Sequence, residues 1–131
     1  MPSTLKRLEF GIYHIYVYGA SSYSDFEAIA DQALTSRAAS GEIHQVFIIE
    51  REANSTVDIN FAQIRQLASQ HDIRKTHFLH IEVSTAIHVF VAGINRSLPL
   101  NIQMIRDMDA AIDEGRDMLS RYTQPRRPKD L

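Results

Sequence analysis

The six histidines of this 131-residue chain are the first side chains that invite a chemical reading, as metal ligands or proton carriers. His77 and His80 stand three apart in the run THFLHIEV, which reads as a strand, so they face opposite sides and cannot chelate one ion. His14, His44, His71 and His88 fall on separate segments, and no His-x-x-x-His pair with an acidic partner occurs. These histidines read as structural or surface residues, and no metal site is expected. Ser21, Ser22, Ser55 and Ser84 lie near expected strand ends, but none sits in Gly-x-Ser-x-Gly, so the strained turn that exposes a nucleophile is missing. Ser24 and Ser84 are explained by helix capping. Glu50 and Glu52 can in principle split their pKa values as a catalytic pair, yet they read as a solvated loop entrance. With no cysteine, thiolate nucleophiles, zinc–thiolate sites, iron–sulfur clusters and disulfides are excluded. The expectation is a non-enzymatic protein without a cofactor.

The elements that must position these residues follow from periodicity. Leu8–Gly19 (LEFGIYHIYVYG) is aromatic and β-branched, and from Ile12 both alternating faces are apolar, as in a strand covered on two sides. Gly11 inside it marks a bulge or a bend between two strand pieces. Ser24-Asp-Phe-Glu27 reads as a capping box opening a helix over about 25–38, with Phe26, Ile29, Ala30, Ala33 and Leu34 on one stripe and Ser40-Gly41 as its stop. Ile43–Glu50 is a second strand, Arg51–Val57 a loop, and Asp58 the cap of a second helix reaching Gln70 with Phe61, Ile64, Leu67 and Ala68 inward. Thr76–Val83, a helix over Thr85–Arg96, a strand over Asn101–Ile105 and an Asp107-capped helix over Met108–Tyr122 complete the chain. The order βαβαβαβα implies a single α/β domain over residues 1–122, a mainly parallel or mixed sheet of four to five strands with four helices, and a flexible basic tail over 123–131.

Composition agrees with one soluble domain: 44% of residues are hydrophobic and 23% charged. The net charge of −2 divides unevenly. Residues 1–120 hold 10 basic against 15 acidic side chains, while Arg121, Arg126, Arg127 and Lys129 oppose only Asp130 in the remainder. Duplex affinity needs a clustered cationic face, so no nucleic-acid partner is expected. No apolar run approaches a membrane span and no signal peptide is seen, so a cytoplasmic protein is expected, peripheral to the membrane at most.

With these elements in place, the pattern resembles the SpoIIAA-like group, that is, the STAS domain and its CRAL-TRIO-related cousins. The resemblance spans about residues 8–120 and is best in THFLHIEVSTAIHVFVAGINRSLPLNIQMIRDMDAAIDEGRDML, where Ile105-Arg-Asp-Met-Asp-Ala-Ala-Ile112 matches the terminal pattern. STAS domains that antagonise anti-sigma factors carry a phosphorylated serine at the start of the second helix, in an Asp-Ser-Ser-Gly-like motif. Here that stretch is Asn54-Ser-Thr-Val-Asp-Ile-Asn-Phe61, without the glycine, which makes the motif degenerate. The resemblance implies a regulatory protein partner at the loop, with Arg51, Asn54, Ser55, Thr56 and Asp58 as its candidate residues.

Ligands of open parallel sheets gather outside the carboxyl ends of the strands, where Gly19–Ser24, Arg51–Asp58, Ser84–Thr85 and Arg106–Asp107 fall. The third helix adds a second candidate. One buried stripe accounts for Ile87, Phe90, Val91 and Ile94 but leaves Ala86, Val89 and Gly93 to be covered by a neighbouring helix, a homodimer contact or an apolar ligand. CRAL-TRIO relatives hold lipophilic molecules under helices, so the resemblance implies a lipophilic ligand between helices two and three, lined by Phe61, Ile64, Ile87, Phe90, Val91 and Ile94. The basic tail adds weak attraction to an anionic membrane surface.

Overall fold

The computed structural model describes residues 3–52, 54–69, 75–81, 85–97 and 102–123. In chain order the elements are β1 Ser3–Glu9, β2 Ile12–Val17, β3 Ala20–Ser22, α1 Tyr23–Ser40, β4 Gln45–Arg51, β5 Thr56–Asp58, α2 Phe61–Ser69, β6 Thr76–Ile81, α3 Thr85–Ser97, β7 Ile102–Ile105 and α4 Met108–Thr123. Five strands form a mixed sheet in the order β1-β2-β4-β6-β7. Among the described residues the β1–β2 pair alone is antiparallel; β2–β4, β4–β6 and β6–β7 are parallel. β3 and β5 make a separate two-stranded parallel ladder.

From β2 onward the strand order follows the sequence order, so crossovers of one hand carry α1, α2 and α3 to the same face. The opposite face is left to α4. The packing obeys this division. Ile29 and Ala33 of α1 pack on Tyr13, Ile15, Val17 and Phe47, and Val91 and Ile94 of α3 pack with Ile102. On the other side Ala111 of α4 meets Ile12, Val46, Ile48, Leu79 and Ile81. β4 and β6 are covered on both faces, which explains the unbroken apolar run over 46–49 of β4, whereas Thr76, His77 and His80 interrupt that of β6.

The structure corrects four readings. The first strand does not begin at Leu8: Ser3–Glu9 is a full strand that turns at Phe10-Gly11 and pairs back on β2, with a register shift between Arg7 and Glu9. It is an edge strand with mostly exposed or half-exposed side chains, so its charged sequence hides it. α1 begins earlier than expected, with Ser22 as its N-cap; the Ser22 amide donates to Asp25 Oδ2 at 2.8 Å, displacing the Ser24–Glu27 box. The loop after β4 contains β5, whose Thr56 amide donates to Gly19 O at 2.8 Å. Asp58 therefore ends a strand rather than capping α2. That cap is Asn60: its Oδ1 accepts from the Gln63 amide at 2.8 Å, and Gln63 Oε1 accepts from the Asn60 amide at 3.0 Å. Asp107 caps α4 as expected, accepting from the Ala110 amide at 2.9 Å. Ser84 and the tail residues Arg126, Arg127 and Lys129 lie outside the described residues.

Candidate functional site

The helix-covered face is not filled. Alternation along β4 turns Phe47, Ile49 and Arg51 toward it, and β6 contributes Thr76, Phe78 and His80 in register beside them. Ile15 and Val17 of β2 extend this floor, and Phe26, Ile29, Ala30 and Ala33 of α1 form one wall. Together with α2 and α3 they line a half-open cavity of about 200 Å³ whose described lining is apolar except for Arg51, Thr76 and His80.

α2 covers this face only in part. The stripe expected to be buried (Phe61, Ile64, Leu67, Ala68) contains no fully buried residue. Ile64, Leu67 and Ala68 face the cavity, while Phe61 is 42% exposed and is not part of its lining. A Cβ on Gly93 would lie 3.3 Å from Phe61 Cζ, so α2 leans on α3 at this point. Of the six residues expected around a ligand, Ile64, Val91 and Ile94 line this cavity; the side chains of Ile87 and Phe90 lie outside the described residues. The α1 wall and the strand floor were missed, although the α1 stripe and the period-two alternation of β4 and β6 both point inward.

The polar lining falls at the two ends. Thr76 Oγ1 accepts from Arg37 Nη2 at 3.1 Å at the amino end of β6. Arg51 and His80 stand at the carboxyl end. His80 is buried, and its Nδ1 lies 2.9 Å from Ile81 O, so that nitrogen carries the proton. Arg51 Nε donates to Ser55 Oγ at 3.3 Å and Nη2 to Ser55 O at 3.2 Å. Burial lowers the guanidinium's pKa from its ordinary value, and no carboxylate pairs with it among the described residues. Arg51, expected as the first loop residue, is instead the last residue of β4, paired with Val17, and it lines the cavity.

The rest of the loop spreads along the carboxyl edge. Asn54 is exposed, Ser55 is engaged by Arg51, and Thr56 and Asp58 are exposed on β5. Neither hydroxyl stands at the start of α2, where Asn60 sits. Glu50 does not pair with Glu52; its Oε1 lies 3.0 Å from His14 Nε2. Among the described residues no group of three His, Cys, Asp or Glu side chains is placed to hold a metal ion. Nor is any described helix long and apolar enough to cross a membrane.

These elements define a single α/β domain with a mixed sheet, three helices on one face and one on the other. Its fold is SpoIIAA-like. The anti-sigma factor antagonist SpoIIAA in its unphosphorylated form superposes with a TM-score of 0.58 over 89% of this chain and 96% of its own, at 9% identity. The Bacillus cell fate determinant SpoIIAA in the phosphorylated form gives 0.54 over 89% of this chain and 98% of its own, at 11% identity. An uncharacterized DUF3478-family protein with a SpoIIAA-like fold, from Shewanella loihica PV-4, gives 0.61 over 86% of this chain and 90% of its own, at 15% identity. No protein-family profile matches the sequence, and no curated protein matches it either.

Proposed function

We propose that this chain is a non-enzymatic regulatory binding module, contacted by a protein partner along the β4–β5 loop and the start of α2. The likeness of fold to an anti-sigma factor antagonist over nearly the whole chain carries this reading. Arg51, Asn54, Ser55, Thr56 and Asp58 form the contact edge. The partner contact is phosphorylation-independent, because Asn60 occupies the helix start and Ser55 already serves Arg51. The test is co-purification with the native chain and with an Asn54→Arg/Thr56→Arg/Asp58→Arg variant, alongside phosphosite mapping. A stoichiometric partner lost from the folded variant supports the reading; a partner that ignores all three substitutions, or modification of Ser55 that controls binding, overturns it as stated.

A second reading is favoured by the cavity: the module accommodates a lipophilic small molecule beneath α1, α2 and α3. An apolar molecule released from the purified chain in native mass spectrometry supports it. A homogeneous apo mass, with no uptake of added apolar probes, removes it.

A further inference from the structure

The cavity has chemical polarity. Its body is walled by side chains such as Ile15, Phe47, Phe78 and Val91, and Arg51 lines it at the carboxyl end of β4. Nearly every cation near a protein core is matched by an acid, because an unpaired buried charge is costly. Arg7 has Glu42 and Arg116 has Glu9. Arg37 has neutral partners, Gln45 and Thr76, but is not among the described lining residues. Arg51, which is, has only the neutral Ser55. Those bonds use Nε and Nη2 and leave Nη1 without a protein acceptor among the described residues. They also fix the plane of the guanidinium, so the group is held ready for an oxyanion at no further cost in side-chain freedom.

We infer that the cavity is a site for a medium-chain monocarboxylate, with the alkyl chain beneath α2 and the carboxylate on Arg51. This deepens the ligand reading above and rests on it. The volume selects the chain length. An engineered apolar cavity of ~150 Å³ takes benzene, so about 200 Å³ suits a tail of roughly six to ten carbons. A phosphate diester head is a poorer match, since one guanidinium arm and no second unpaired cation meet it among the described lining residues. A neutral alcohol of equal length fills the same space but leaves the charge of Arg51 unanswered.

Calorimetric titration of the full chain with decanoate and with decan-1-ol separates the possibilities. Decanoate is expected to bind at one site at least tenfold more tightly than the alcohol. In Arg51→Met, which keeps an apolar wall, decanoate is expected to fall to the level of the alcohol while the alcohol is unchanged; Arg51→Lys, which keeps the charge, retains part of the preference. Equal binding of the two probes by the native chain, or decanoate binding unaffected by Arg51→Met, overturns the carboxylate assignment and leaves the cavity reading standing. Binding of neither probe overturns both. Circular dichroism of each variant establishes that it is folded, and Arg51→Gln replaces any Arg51→Met protein that is not.

Discussion

Glu42 accepts the hydroxyl hydrogen bond of Tyr13 on one carboxylate oxygen, with the Gly11 amide donating to the other. Arg7 Nη2 lies 3.1 Å from that second oxygen, and no part of the Glu42 side chain is exposed. The carboxylate thereby joins the turn between β1 and β2 to the end of α1. Burial pushes its pKa up, but the bonds from Tyr13, the Gly11 amide, Ser40 and Gln45 outweigh that and hold it below its ordinary 4.5. The unfolded chain then takes up the proton first, so the stability Glu42 contributes is complete above pH 4.5 and is lost as pH falls through the lowered value. Glu42→Gln is expected to cost about 1.5–3 kcal/mol at pH 7, the worth of a bond to a charged group, and to flatten the acid limb. Urea unfolding across that range measures both; an unchanged acid limb shows that another group controls it.

A second pH effect comes from the same end of the sheet, two residues further along the chain. His44 Nδ1 and His77 Nε2 are 3.3 Å apart, and the Tyr122 ring stacks on both, with centroids at 4.1 and 4.8 Å. Burial, then the charges of His44 and Arg121, lowers the pKa of His77 from its ordinary 6.5. A histidine that resists protonation when folded leaves stability complete above the unfolded value and erodes it as pH drops below about 6.5. His77→Phe keeps the stack and removes the titration. Its denaturation midpoint is expected to fall less than the native protein's between pH 7.5 and 5.5, and an equal fall in both assigns the effect elsewhere.

Much of the fold is legible in residue order, because β2 and β4 are buried on two faces and their apolar runs have no other use. The elements that escape are those held by backbone pairing rather than by side-chain pattern. β1 exposes or half-exposes nearly all of its side chains, and β3 and β5 are three-residue strands that exist only because each supplies the other's ladder. The site follows the same logic. The α2 stripe was readable, but how deeply it is buried is a tertiary quantity that no local pattern carries. Arg51 was singled out as a loop residue because its cavity role depends on the alternation of β4 continuing to that strand's last position.

Two glycines with nearly the same dihedral separate backbone strain from crowding. Gly11 has φ 78° and Gly41 φ 75°, both in the left-handed region. At Gly41, the C-cap of α1, a Cβ meets nothing within 4 Å. At Gly11 it would stand 2.8 Å from Leu119 Cδ1 and 3.3 Å from the backbone oxygen of His44. Gly41→Ala is expected to cost about 1–2 kcal/mol, the left-handed penalty alone. Gly11→Ala carries that penalty plus a contact in which the His44 oxygen cannot easily yield, so the cost is at least about 1 kcal/mol larger. Thermal denaturation of the two variants side by side gives the difference, and equal losses contradict the crowding at Gly11.

The cavity predicts a substitution that stabilises the chain while abolishing the proposed uptake. Ala68 on α2 lines the space and packs beside Val91, Ile94 and Ile102. Larger apolar side chains at most core positions force their neighbours off rotamer, but here Leu extends into existing volume and restores dispersion contacts that the lining lacks. Ala68→Leu is expected to raise stability by about 0.5–2 kcal/mol, the usual range for filling a void, and to eliminate decanoate binding. The two readouts have different origins, so their combination is diagnostic. A destabilised Ala68→Leu chain means that α2 closes onto the sheet in solution and no void is there to fill. A stabilised chain that still takes up decanoate means that the ligand lies away from α2, on the α1 side of the cavity.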